Sequence, residues 1–225
     1  MQDEVMRAIR SARRPVVVFD VDSTLVSTAG RHLAILRAFA EGRPALRELA
    51  ARLAPEDFGW TVDAPVRARM DLDPETASAL QAFWADAFFS DRFLAHDRPV
   101  PGAVDFVRRV HSAGAWVVYL TARAADRMGA RTAETLVSMG FPVVEGRATL
   151  HLKPSSDTSD HGHKASALAE AAWLGEVVAT FENEPANANL FARSFPGGLH
   201  VLVGSLCSPG APDPDPTVLR VDGFA

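Results

Sequence analysis

The sequence predicts an α/β protein: a Rossmann-like parallel sheet of about five strands flanked by helices, interrupted by a small all-helical insertion. Three observations lead there. The largely apolar runs 16–19, 115–120, 176–181 and 199–203 are short and do not alternate with polar residues, as expected of strands covered on both faces. Stretches with apolar residues at helical spacing separate them. Residues 27 to 92 carry helical patterns and no strand pattern, although a parallel crossover needs only about a dozen residues.

Residues 2 to 12 read as a short helix with Val5, Met6 and Ile9 on one side. The run 16–19 has no polar face and ends abruptly in Asp20 and Asp22. In open α/β sheets ligands bind at the carboxyl ends of strands. Two acids there repel each other unless something positive sits between them, and an oxygen-seeking cation such as Mg²⁺ is the simplest answer. An ordinary acidic turn is the competing explanation.

Ser27 or Thr28 can cap a helix running through Arg31, Leu33, Ile35, Leu36 and Phe39. A second helix follows at 44 to 53. Pro55, Gly59 and Pro65 then break the chain into loops and short turns. Pro74 opens a third helix at 75 to 90, with Leu80, Phe83, Trp84, Ala87 and Phe88 as its apolar stripe. The chain therefore divides into a core, residues 1–26 and 93–225, and a helical cap insertion, residues 27–92. Phe58, Trp60, Phe83 and Trp84 read as the cap's own core.

A helix at 102 to 113 leads to the strand 115–120, which ends in Thr121, Ala122 and Arg123. Thr121 can cap the helix expected at 124 to 139, and Arg123 either touches a ligand or ties down the loop. Short strands are expected at 142–144 and 148–152. The polar loop from Lys153 to Lys164 follows, with a helix from Lys164, or just before it, to Trp173. His161 and His163 form an H-x-H pair there. No cysteine or second histidine pair accompanies them, so a mobile loop is preferred to a zinc site. The strand 176–181 ends in Glu182, Asn183 and Glu184. The strand 199–203, an irregular Pro- and Asp-rich tail and an edge strand at 218–221 complete the chain.

The chain has 225 residues, of which 48% are hydrophobic, enough for one α/β core and a small second unit. Its net charge of −5 argues against general nucleic-acid binding. A single cysteine, Cys207, excludes an intrachain disulfide and fits a reducing, cytoplasmic compartment. The first fifteen residues carry charges throughout, unlike a signal peptide. No apolar run approaches the length that spans a membrane. Only Lys153 and Lys164 are lysines among 23 basic residues, so these two positions stand out in an arginine-dominated chain.

The segment Asp20-Val21-Asp22-Ser23-Thr24 resembles the D-x-D-x-T signature of the haloacid dehalogenase-like superfamily of hydrolases, most of them phosphatases. That resemblance implies that Asp20 is a nucleophile forming an aspartyl-phosphate and that Asp22 is the general acid/base. It implies that the Thr121 hydroxyl and the Ala122 N–H hold a phosphoryl oxygen. It implies a lysine that stabilises nucleophile and phosphate, for which Lys164 is the candidate and Lys153 the runner-up. It implies Mg²⁺ held by Asp20, Asp22 and Glu182, although Glu-Asn-Glu departs from the aspartate pair usual there. Asn183, Glu184 or Asn187 would act through water or orient neighbours. Many members carry a helical cap after the first motif, where it would exclude water and read the leaving group.

The resulting expectation is a Mg²⁺-dependent phosphatase for a small phosphorylated substrate. Two other readings compete. A nucleic-acid end phosphatase keeps the chemistry and would need a local basic patch, for which Arg67, Arg69 and Arg92 are candidates. A phosphate-binding or regulatory protein on the same fold would bind without turnover. The chain lacks a G-x-G-x-x-G dinucleotide loop, a phosphate-binding G-x-x-x-x-G-K-[ST] and a G-x-S-x-G elbow.

Overall fold

The computed structural model describes residues 1–143, 146–204 and 206–224. In chain order the elements are α1 (Gln2–Ser11), β1 (Pro15–Phe19), β2 (Val26–Ser27), α2 (Ala29–Phe39), α3 (Pro44–Arg52), a 3-10 turn (Pro55–Asp57), α4 (Ala64–Arg67), α5 (Pro74–Phe88), a second 3-10 turn (Asp91–His96), β3 (Arg98–Pro99), α6 (Ala103–Ser112), β4 (Trp116–Ala124), α7 (Ala125–Ser138), β5 (Ala148–Lys153), α8 (Asp160–Leu174), β6 (Glu176–Glu182), α9 (Pro185–Ser194), β7 (Leu199–Val203) and β8 (Leu219–Val221). They form two compact units, one of Met1–Val26 with Pro99–Ala225 and one of Ser27–Arg98.

The first unit is a parallel sheet of six strands in the order β5-β4-β1-β6-β7-β8. The chain builds outward on one side of β1 to β5, then crosses to β6 on the other side. The order therefore reverses beside β1, and the carboxyl end of a strand at such a reversal is where open sheets bind ligands. Every residue of β1 is buried. Val17 and Phe19 join Val5, Ile9, Phe106 and Val107 in one core, while Val16 and Val18 join Leu168, Ala171 and Phe191 in another. A continuous apolar run is what two covered faces demand. Phe19 stacks on Phe181 at 4.8 Å, and Phe106 meets Phe181 edge-on at 5.3 Å. Each such ring contributes about 1.5–3 kcal/mol by burial. No helix among the described residues is long and apolar enough to cross a membrane.

The second unit is helical, with its own core of Leu33, Leu36, Phe39, Leu46, Leu49, Phe58, Val66 and Leu80. Phe83 and Trp84 pack against that core, whereas Trp60 is exposed. Arg31 and Asp97 form a fully buried ion pair, with Arg31 Nε donating to Asp97 Oδ1 at 2.8 Å. The pair ties α2 to the turn after α5 within the unit Ser27–Arg98. Arg67, Arg69 and Arg92 are each paired with an aspartate: Asp63, Asp57 and Asp86. Their charges are thus balanced locally. The chain crosses between units through β2 and β3, which pair as a two-stranded sheet.

Several local expectations need correction. The helix α8 starts four residues before Lys164, because Ser159 caps it by accepting from Gly162 N–H at 3.2 Å. His161 and His163 therefore lie on a helix. Two residues apart, they point in different directions, His161 exposed and His163 buried, and cannot share a metal. The strand β4 runs through Thr121 to Ala124, so Ala124 rather than Thr121 stands at the N-cap of α7. Of the strand expected at 142–144, Val144 lies outside the described residues, and Pro142 and Val143 form no strand.

Candidate active site

The site grows from the end of β1. Asp20 follows the strand directly, and its N–H donates to the Phe181 carbonyl at 2.9 Å, extending the ladder by one bond. Ser23 then adopts φ 62°, the left-handed region that non-glycine residues rarely visit outside special turns. Its N–H donates to the Val26 carbonyl at 2.7 Å and closes a tight loop. This loop returns Thr24 under Asp20, where the Thr24 hydroxyl donates to Asp20 Oδ2 at 2.9 Å.

Lys164 reaches the same carboxylate from the second turn of α8. Its ammonium donates to Asp20 Oδ1 at 2.8 Å and to Glu182 Oε2 at 2.6 Å. Glu182 is the last residue of β6, and its other oxygen accepts from the Glu184 N–H at 3.1 Å. All three side chains are buried. The electrostatics follow from one ammonium facing two carboxylates. Burial, then the Asp20 charge, push the Glu182 carboxyl up to about 7 against the pull of Lys164. Burial also raises Asp20, again opposed by Lys164. Burial pulls the Lys164 ammonium down, but the two carboxylates outweigh it and hold it above the ordinary lysine value.

Asp22 is gripped by Arg123. Arg123 Nε donates to Asp22 Oδ2 at 2.8 Å and Arg123 Nη2 to Asp22 Oδ1 at 2.7 Å, a two-pronged pair. A register shift in β4 between Leu120 and Ala124 re-aims this stretch, as bulges beside sites commonly do. Thr121 is buried on the same stretch, and its hydroxyl oxygen accepts from the Arg123 N–H at 3.2 Å. Ala122 lies between them, partly exposed.

Of the residues singled out in the sequence, Asp20, Lys164 and Glu182 converge directly. Lys153 does not join them, since its ammonium donates to Asp160 Oδ1 at 2.7 Å. Glu184 turns to the loop after β7, whereas Asn183 bridges that loop to the site, its Oδ1 accepting from the Thr24 hydroxyl at 3.4 Å. Glu184 accepts from the Ser208 N–H at 2.9 Å and its hydroxyl at 2.7 Å, while Asn183 Nδ2 donates to the Leu206 carbonyl at 2.7 Å. Among the described residues no group of three or more His, Cys, Asp or Glu side chains gathers as a metal cluster. Two carboxylates facing a single ammonium nevertheless leave a deficit of positive charge, which suits a divalent ion that takes one or two protein carboxylates. Arg123 is the residue whose part the sequence left open. The signal was a charged residue two places beyond a strand-end threonine.

No protein-family model matches the chain, and no curated protein matches it by sequence. Solved structures do match. A candidate phosphatase from Clostridium difficile superposes with TM-score 0.56 at 11% identity, covering 92% of this chain and 94% of that one. The protein tyrosine kinase A of Mycobacterium tuberculosis gives TM-score 0.53 at 20% identity, covering 93% of each chain. A hydrolase of the haloacid dehalogenase superfamily from Ehrlichia chaffeensis gives 0.53 at 10% identity, covering 93% and 91%. The chain has the haloacid dehalogenase-like fold.

Proposed function

We propose that this protein is a Mg²⁺-dependent phosphomonoester hydrolase that works through an aspartyl-phosphate on Asp20. The observation that carries the reading is the buried Asp20 carboxylate, oriented by Thr24 on one oxygen and Lys164 on the other. A carboxylate fixed in this way beside an ammonium is a competent nucleophile toward phosphorus.

In this reading an Asp20 oxygen forms a bond to phosphorus as the bond from phosphorus to the ester oxygen breaks. The departing oxygen takes a proton from the Asp22 carboxyl, leaving Asp22 as carboxylate. Asp22 then removes a proton from water, the resulting hydroxide attacks phosphorus, and the bond to Asp20 breaks to free inorganic phosphate. The Thr121 hydroxyl, the Ala122 N–H and the Lys164 ammonium hold phosphoryl oxygens through both halves. Asp20 and Glu182 would hold the Mg²⁺, which when bound supplies positive charge where a carboxylate must approach a phosphate. A small phosphorylated substrate fits the pairing of Arg67, Arg69 and Arg92 with aspartates better than a nucleic-acid end does.

Purified protein with Mg²⁺ and p-nitrophenyl phosphate is expected to release phosphate, and Asp20→Asn is expected to lower that release to background. Equal release by the two proteins contradicts the mechanism.

A further inference from the structure

We infer that Arg123 is a positioning residue for proton transfer: it fixes the Asp22 carboxylate and acts on the reaction through Asp22, not through the phosphate. This inference rests on the hydrolase reading above. Asp22 sits on the tight loop after β1, and its side chain remains 29% exposed, so packing alone does not choose its rotamer. Arg123 supplies the missing restraint. Its own side chain is 2% exposed, and its Nε and Nη2 grip one Asp22 oxygen each. Two parallel hydrogen bonds from a planar guanidinium set both the position and the plane of a carboxylate, which a single point charge cannot do.

The anchor of the arginine matters as much as its tip. The Arg123 N–H donates to the Thr121 hydroxyl oxygen on a stretch where the β4–β5 register shifts, and its side chain reaches Asp22 on the loop after β1. Arg123 thus joins the strand end bearing Thr121 to the loop bearing Asp22. The two halves of the site that must agree in position, phosphate holder and proton carrier, are connected through this side chain. Lys164 pairs with Asp20 and Glu182, and Arg123 with Asp22.

The step most sensitive to a misplaced Asp22 is the one that needs its proton transfer. p-Nitrophenolate leaves readily without protonation, whereas attack by water on the aspartyl-phosphate still needs a base. Arg123→Gln and Arg123→Lys, with Mg²⁺ saturating, should therefore keep the initial burst of p-nitrophenolate within about 3-fold of wild type. Steady-state kcat should fall roughly 10- to 100-fold and KM change less than about 3-fold. Lysine should not rescue, because it keeps the charge and loses the fork. In an Asp22→Asn background, Arg123→Gln should cost almost nothing more, the non-additivity expected of residues acting as a unit.

Binding of inorganic phosphate, measured calorimetrically, supplies a readout independent of turnover. Arg123→Gln should leave its affinity within about 2-fold, since a lost direct phosphate contact would cost far more. A 10-fold or larger loss of phosphate affinity overturns the inference, as does a raised KM with kcat retained or full additivity with Asp22→Asn. A burst lost in step with a lowered unfolding temperature in both Arg123 variants also overturns it, in favour of a structural role. Absence of any p-nitrophenolate release by wild type, with phosphate affinity unchanged in Arg123→Gln, faults the hydrolase reading and leaves Arg123 clear of the phosphate.

Discussion

Lys164 carries one positive charge against two buried carboxylates, and this imbalance sets the electrostatics of the strand end. Removing one member of a buried ion-paired group typically costs about 3–5 kcal/mol, because the remaining charges keep their desolvation penalty. Lys164→Met, unfolded by urea in the presence of a chelator, should lose about that much at pH 8. The sign of the pH effect follows from Glu182. Its folded value is about 7, above the ordinary 4.5, so the folded state keeps a proton that the unfolded state has released. The stability this gives is present in full below about 4.5 and is lost as pH rises through 7. With the ammonium gone both carboxyls rise further, so the penalty in Lys164→Met should shrink from pH 8 toward pH 5. A penalty that is flat with pH contradicts this electrostatic account. At this scale Asp20 and Asp22 drew attention because an apolar run breaks off in two acids, a pattern that an ordinary acidic turn also produces. Arg123 was noticed but its part stayed open between ligand and loop, because its partner Asp22 lies 101 positions away along the chain.

Elements were easiest to read where one force dominates. The strand β1 declares itself because both faces are covered. The start of α8 did not, because Ser155, Ser156, Thr158 and Ser159 are all plausible caps and only tertiary bonds choose among them. Those bonds are Lys153 to Asp160, and the Ser156 hydroxyl to Asp126 Oδ2 at 3.1 Å. The extension of β4 was hidden for a related reason, since Thr-Ala-Arg carries no strand pattern and the bulge is made by pairing with β5. The helical unit offers a test at this scale. A Cβ on Gly30 would lie 2.3 Å from the His96 carbonyl oxygen. Helix propensity alone would make Gly30→Ala stabilising by about 1 kcal/mol. A clash with backbone is harder to relieve, costing about 1–3 kcal/mol, and should win. Gly30→Ala should therefore lower the urea midpoint with an unchanged slope, whereas a higher midpoint would mean that α2 and the 3-10 turn after α5 separate freely.

At the scale of the chain, a six-stranded sheet whose order reverses beside β1 is interrupted in sequence by a helical unit, with the short strands β2 and β3 paired where the chain leaves and returns. Pairing the exit with the return explains how so long an insertion is accommodated without disturbing strand order. The sequence announced this division through a strand-free stretch longer than a crossover requires. It could not announce where the tail runs. Asn189 pins the Pro- and Asp-rich segment through the Asp213 carbonyl at 2.9 Å and the Asp215 N–H at 2.6 Å, contacts without a local pattern. Sheet reversal, buried carboxylates and a shared ammonium come together at one strand end, and the central claim is that a phosphoryl group is passed there to a side chain. Borohydride converts an acyl phosphate to an alcohol. Quenching the protein with borohydride during turnover of p-nitrophenyl phosphate, followed by peptide mass analysis, reads out that transfer directly. The account predicts homoserine at position 20, lost when Asp20 is replaced by Asn. Continued phosphate release with aspartate intact at position 20, or with the reduced residue elsewhere, would contradict it.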